Sequence, residues 1–318
     1  MINYDVFNGD ADGICALHQL RLNTPCKAEL ITGVKRDIQM LSKISTVTNC
    51  HITVLDISLE SNREELTKLL RNQNSVHYYD HHFCGVLPLS DLLTTDIDTS
   101  AETCTSLIIN DKLAGAFSLW AICGAFGDNL HAPAHKLCDE LELDLQTRSI
   151  LQELGELLNY NGYGATVDDL HFHPADLYHA VSQYSNPLDF YKISPILHIL
   201  QQGYAQDMEQ AMSVPLHQYA GKNRIYFFPN TSWASRVSGV FSNLKAREQE
   251  NLAHAVITEN SDSSLRISLR APLSDRRDAD TICNSFPTGG GRKAAAGINA
   301  LPANMLDDFL TLLDATYA

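Results

Sequence analysis

The sequence predicts an α/β protein of two domains. The first has a parallel sheet and a helical segment; after a linker comes a smaller, mixed α/β domain. Three observations predict this. Short β-favouring runs alternate with helix-like stretches through the first hundred residues. Residues 102–185 then show apolar positions at i, i+3 and i+4, as in Leu151, Leu154, Leu157 and Leu158. Beyond Gln218 the strand–helix alternation resumes. The 318 residues suffice for two domains of ordinary size.

In order, Tyr4–Asn8, Ala28–Thr32, His51–Asp56 and Val76–Tyr79 read as strands, and Asp91–Ile97 as a further one. Between them Asp12–Leu22, Arg36–Lys43 and Glu60–Arg71 read as helices. That spacing indicates βαβ units, whose strands run parallel. Asn186-Pro187 and Ser194-Pro195 punctuate a connecting region, and Gly203 to Gln218 reads as a helix leading out of it. Ile225–Phe228, Ala253–Thr258 and Leu265–Leu269 are then strand-like; Ser232–Glu248 and Asp278–Phe286 are helix-like. A triple glycine at 289–291 precedes Ala294–Ile298, and a last helix runs from Pro302 to Thr316. The expected division is a domain over 1–190, a helical linker over 191–218 and a second domain over 219–318.

The chain is 44% hydrophobic and 19% charged, as in well-packed globular proteins. A net charge of −15 argues against a general grip on long nucleic acid. The charge is uneven. Residues 1–218 carry 12 Lys+Arg against 28 Asp+Glu, and residues 219–300 carry 11 against 7. An acidic half suits cations and a basic half suits phosphates. The eight cysteines include no C-x-x-C pair and read as reduced thiols, several of them core residues. The N-terminus has no leader-like pattern and no apolar stretch reaches 18 residues, so a cytoplasmic protein without a membrane partner is expected.

Chemistry-bearing residues fall where strands end. Tyr79-Asp80-His81-His82 follows the apolar run Val76 to Tyr79, Asn8-Gly9-Asp10-Ala11-Asp12-Gly13 follows the first strand, Asp56 ends another, and Gly127-Asp128-Asn129 lies downstream. The ends of parallel strands converge on one crevice. Carboxylates suit hard divalent ions, and imidazole extends the choice to Mn, Fe or Zn. Each piece has a plainer reading. Asp12 can cap a helix beginning at Gly13 or Ile14, Asp56 can cap the next helix, and Asp128 can close a C-terminal turn. Two adjacent imidazoles behind a strand-end Asp are harder to read as core filling. Asp80 can bond a ring nitrogen and fix the tautomer of a ligating His. The remaining histidines read as surface or satisfied core residues. Gly289-Gly290-Gly291-Arg292-Lys293 reads as an anion-approaching loop, with a flexible basic loop as its plainer reading. Arg266, Ser268 and Arg270 share one strand face, which can equally be solvated surface.

Together these residues resemble the DHH phosphoesterase family, in its subgroup with the DHH-associated C-terminal domain; members include RecJ-type exonucleases and NrnA-type oligonucleotide phosphatases. The resemblance covers essentially the whole chain. It rests on the Asn8–Gly13 segment, on Asp56 in Val54-Leu55-Asp56, on Asp80-His81-His82, on Asp128, and on Gly289 to Gly297. It implies two Mn²⁺-type ions. Asp10 and Asp56 would hold the first; Asp12, Asp56, His81 and Asp128 the second. It also implies that His82 faces the scissile phosphate, that Asp80 orients the histidines, and that Arg270 with Gly289, Gly290, Gly291 and Arg292 grips the substrate. Two residues depart from the family pattern. Asn8 stands where the family usually has His, and an amide oxygen is a poorer ligand than imidazole. Arg292 stands where the glycine motif usually has His, and offers a planar fork that matches a phosphate or the O6/N7 edge of guanine.

The expected function is metal-dependent hydrolysis of short 5′-phosphorylated oligonucleotides, with linear dinucleotides favoured and pGpG ahead of pApA, by a monomer or homodimer. A RecJ-like single-strand exonuclease, a phosphoadenosine-phosphate phosphatase and a nucleotide-binding regulator without catalysis are the alternatives.

Overall fold

A computed structural model describes residues 2–317. They divide into two compact units, one up to Gly203 and one from Tyr204 onward.

The first unit begins with β1 (Asn3–Phe7), α1 (Ala11–Asn23), β2 (Glu29–Ile31), β3 (His51–Leu55), α2 (Arg63–Arg71), β4 (Ser75–Asp80) and β5 (Leu93–Ile97). The strands pair in the order β2-β1-β3-β4-β5, and every pairing is parallel. The order reverses between β1 and β3, because the chain leaves β1 for β2 on one side and returns as β3 on the other. Such a switch point opens a crevice beyond the strands' carboxyl ends. One sheet face buries Val6, Ile52, Val54, Val76 and Tyr78 against Met40, Leu41, Leu66 and Leu69. Parallel strands without polar alternation are read as apolar runs for this reason.

The helix expected over Arg36–Lys43 is not formed; only a 3₁₀ turn at Met40–Ile44 is present. The preceding segment is drawn out instead. The Lys35 N–H donates to Gly162 O (2.9 Å), and Asn62 ties down Leu41 N and Ile38 O. These bonds replace the intrahelical ones.

Helices α3 (Thr105–Lys112), α4 (Ser118–Gly127), α5 (His131–Glu140), α6 (Leu145–Gly162), α7 (Pro174–Val181) and α8 (Pro187–Ile193) make up the expected helical segment. A Cβ on Gly155 would lie 2.2 Å from Cys123 O, and one on Gly127 would lie 2.3 Å from the Ala11 Cβ. Only glycine lets α4 approach α6 and the start of α1 this closely. The two Pro dipeptides do not punctuate a coil. Asn186 caps α8 through Leu188 N (2.9 Å) with Pro187 at the first turn, and Pro195 opens α9 (Pro195–Ser213), which has Gly203 in its interior. Proline at a first turn costs no hydrogen bond.

The second unit holds β6 (Arg224–Phe228), α10 (Ser232–Glu248), β7 (His254–Glu259), β8 (Leu265–Arg270), α11 (Ala279–Asn284), β9 (Gly289–Arg292), β10 (Ala295–Leu301) and α12 (Leu306–Thr316). The sheet is mixed, in the order β6-β7-β8-β10-β9; β6 and β7 are parallel and the other pairings antiparallel. Ile225, Ile257, Ile267, Leu269 and Ile298 face Phe309 and Leu313 in its core. Because the boundary lies inside α9, Asp207 and Glu209 join this unit, which then carries 11 Lys+Arg against 12 Asp+Glu. The excess of positive charge is local to residues 219–300.

Among the described residues all eight cysteines are free, and no helix is long and apolar enough to cross a membrane. His18 and His254 are both buried histidines. His18 is satisfied, with Nε2 2.8 Å from Tyr184 O, whereas the His254 Nδ1 finds no hydrogen-bond partner among the described residues.

Candidate metal centre

The first unit brings its sequence-predicted site residues together at the carboxyl ends of β1, β3 and β4. Asp10 follows β1 and caps α1, accepting from Gly13 N at 3.0 Å. The cap is therefore Asp10, and the plainer reading of Asp12 as the cap does not hold. Asp12 lies inside α1, fully buried, and accepts from Thr105 N (2.8 Å) and Ser106 N (2.7 Å) at the start of α3. Its charge complements the orphan amides of that helix start.

Asp56 follows β3 with φ +58°, a left-handed conformation that Asp and Asn tolerate better than most residues. Its Oδ1 lies 3.4 Å from His81 Nε2, 3.4 Å from Thr105 Oγ1 and 4.0 Å from His82 Nδ1. Asp80 ends β4 and is fully buried; one of its oxygens accepts from both His81 N (2.9 Å) and His82 Nδ1 (2.7 Å). It thus orients the His82 ring, but holds His81 only through the backbone. A carboxylate can only accept, so the His82 Nδ1 carries the proton and its Nε2 is left to face outward chemistry. Asp128 caps the end of α4, with Oδ2 3.8 Å from His81 Nε2.

The electrostatics follow from burial. Desolvation pushes the Asp56 carboxyl well above the ordinary range, and the charges of Asp12, Asp10 and Asp128 push it further. Asp128 is raised by burial and by Asp12 and Asp10, against the pull of Lys35 and His81. Burial would lower His82, but the Asp80 bond and charge outweigh it and hold the ring above its ordinary value. Two like charges about 4 Å apart repel by about 4 kcal/mol at an effective dielectric constant near 20. A divalent cation would relieve this.

The donor set fits such an ion. One ligand atom from each of Asp56, His81 and His82 lies within 4.8 Å of the others. Bonds of about 2.0–2.2 Å place the ligands of one ion at comparable separations. The Asn8 side-chain oxygen is buried without a hydrogen-bond partner among the described residues, as a weak ligand would be.

Comparison with solved structures places the fold. An exonuclease RecJ structure with bound manganese matches with a TM-score of 0.60 and 16% identity, over 99% of this chain and 89% of that one. A DHH domain from a protein assigned to a family of ribosomal proteins matches with a TM-score of 0.63 and 9% identity, over 99% and 86%. The chain has the DHH fold. A third protein with this fold, the pGpG-specific phosphodiesterase PggH from Vibrio cholerae, matches with a TM-score of 0.57 and 11% identity, over 100% and 99%. No family model and no curated protein matches the sequence.

The second unit of the DHH fold holds the other expected residues. Gly289 to Arg292 form the edge strand β9, paired with β10, rather than a loop. Two of the three glycines have packing reasons: a Cβ on Gly289 would fall 1.7 Å from Cys283 O, and Gly291 has φ +144° with Ala296 close by. Of the three, only Gly290 has open space around it. Arg292 is exposed. Arg266, Ser268 and Arg270 do alternate to one face, but α10 packs on that face. Arg266 donates to Ser235 Oγ (3.2 Å), and Arg270 donates to Asn243 Oδ1 (2.6 Å) and Gly239 O (3.4 Å).

Sequence reasoning missed Lys35, whose ammonium lies 2.6 Å from Asp10 Oδ2 and 3.2 Å from both Asp128 Oδ1 and Asn159 Oδ1. The available signal was a basic residue pair, Lys35-Arg36, beyond the second strand of a strongly acidic domain. Thr105 and Ser106, which hold Asp12, carry no signal at all.

Proposed function

We propose that the chain is a divalent-metal-dependent phosphoesterase of the DHH family that hydrolyses short 5′-phosphorylated oligonucleotides to mononucleotides, with linear dinucleotides, and pGpG ahead of pApA, as preferred substrates. The convergence of Asp56, His81 and Asp128 beside the Asp80–His82 pair carries this reading. A bound divalent ion would supply Lewis acidity at phosphorus and a more acidic water. Asp56 and His81 would hold it, with Asp128 in the same cluster and the Asn8 amide oxygen as a weaker candidate ligand. His82, its Nδ1–H fixed on Asp80, would present Nε2 to the substrate; kept above its ordinary pKa, it suits donating a proton to the leaving oxygen. The exposed Arg292 would take a phosphate or a guanine edge. Manganese as the ion and a cytoplasmic setting belong to the same proposal.

The test is a substrate panel with Mn²⁺: pGpG, pApA, longer RNA, phosphoadenosine phosphate and pyrophosphate, with products resolved by chromatography. Rates should fall steeply beyond the dinucleotide and vanish with excess chelator. Equal rates on a dinucleotide and a long single strand would establish an exonuclease; full activity in chelator would sink the metal reading.

A further inference from the structure

The position that the family resemblance gives to a first ion, beside Asp10, already has a cation bonded to it. Lys35 is brought there by the backbone: its N–H donates to Gly162 O at the end of α6. The side chain passes the Tyr163 ring, with Nζ 5.6 Å from the ring centroid. An ammonium has three N–H donors. Three acceptors surround this one: Asp10 Oδ2, Asp128 Oδ1 and Asn159 Oδ1, at 2.6, 3.2 and 3.2 Å. The other Asp10 oxygen accepts from Gly13 N, so both oxygens of that carboxylate are engaged. Asn8, on the same loop, offers an amide oxygen where imidazole would bind a transition ion better. Asp56 and His81 differ. Among the described residues, the basic groups within 4 Å of Asp56 are the two DHH-motif histidines, and no Lys or Arg is bonded to it.

We infer that Lys35 is the built-in cation of the first position, so that this chain takes one divalent ion, at Asp56 and His81, where the family resemblance implies two. The inference rests on the metal-dependent reading above. A fixed ammonium supplies one positive charge where an ion would supply two, and needs no metal to do so. It also excludes a divalent ion from Asp10, because the two cations would compete for the same carboxylate oxygen. The charge of Asp10 and half that of Asp128 are then neutralised by the chain itself, while Asp56 is left to a metal.

The experiment counts ions in the full chain. Metal-free protein is dialysed against excess Mn²⁺, desalted and analysed by elemental mass spectrometry, with electron paramagnetic resonance on the same samples. The wild-type protein should hold one equivalent and give the six-line signal of an isolated ion. Lys35→Gln and Lys35→Met should each hold two, with the broadened signal of an exchange-coupled pair. Lys35→Arg, which keeps the charge, should stay at one. Circular dichroism establishes that each variant is folded, and two neutral variants guard against the failure of either. Two coupled ions in the wild-type protein would overturn the lysine inference and leave the metal-dependent reading intact. One ion in every folded variant would likewise overturn it. No bound Mn²⁺ in any of them would overturn the metal reading, and this inference with it.

Discussion

The two units use charge in opposite ways. In the first, carboxylates are buried together: Asp10, Asp56 and Asp80 at the ends of parallel strands and Asp12 in the first turn of α1 are each 2% exposed or less. In the second, cationic groups are spread along a helix-covered sheet face and an exposed edge strand, and most have partners nearby. Topology explains the contrast. Parallel strands point all their carboxyl ends one way, so residues distant in sequence meet. Antiparallel strands send successive ends to opposite sides and line residues up along a face. A convergent acidic cluster is suited to holding an ion, whereas the aligned Arg266 and Arg270 are tied to the helix that covers them.

The contrast can be broken most sharply at Asp56. Asn is nearly isosteric and tolerates the left-handed backbone there. Asp56→Asn should lower turnover by more than about 100-fold, the upper end of what removing a ligand's mere supporting partner costs. The same change removes a buried charge that burial and three neighbours disfavour, so the metal-free variant should melt above the wild-type protein. Unchanged turnover, or a lowered melting temperature, would contradict the account of the cluster.

Acid sharpens the comparison. Burial pushes His18 in the first unit and His254 in the second down to about 4 from an ordinary 6.5. Both units are at full strength from this source above pH 6.5. As pH falls from 6.5 to about 4 the unfolded chain takes up protons that the folded one refuses, and each histidine removes up to about 1.4 kcal/mol per pH unit. In the metal-free first unit, Asp56 and Asp128 work the other way. Their raised carboxyls bind protons in the folded state first, so acidification restores stability there. Without such a raised pair among its described residues, the second unit should weaken first. The two tryptophans report the units separately, Trp120 in the first and Trp233 in the second. Urea titrations of Trp120→Phe and Trp233→Phe at pH 7, 6 and 5 should show the larger loss at Trp233. Equal losses would mean that the units unfold as one.

The smallest effect belongs to the edge strand. Arg292→Ala should raise KM and leave bound metal unchanged. A guanine contact would make the loss greater for pGpG than for pApA, by roughly 1–3 kcal/mol, and a phosphate contact would make it equal. Unchanged kinetics on both would make Arg292 an ordinary exposed residue.

Strands are legible in the sequence because buried parallel strands leave continuous apolar runs, and strand ends carry Asp56 and Asp80 with them. The Arg36–Lys43 segment misleads because its helical periodicity loses to tertiary hydrogen bonds from Asn62 and Gly162. The prolines at 187 and 195 look like breakers and are starters; the same ring suits both roles, and only the Asn186 cap decides. Gly289 and Gly291 suggest an approaching anion, whereas the close approach is by the chain's own backbone. Asp12 and Lys35 are the least legible, since their roles depend on partners roughly a hundred residues away.

The close crossing of α4 and α6 has a consequence for any residue-by-residue survey of tolerance. Gly127 precedes Asp128 directly, and Gly155 sets how near the two helices come. Neither has a functional group, yet a methyl at either would have to displace backbone and carry Asp128 away with it. In a saturation mutagenesis map these two positions would therefore be as intolerant as the acidic residues themselves. A survey that equates intolerance with chemistry would mistake them for catalytic ones.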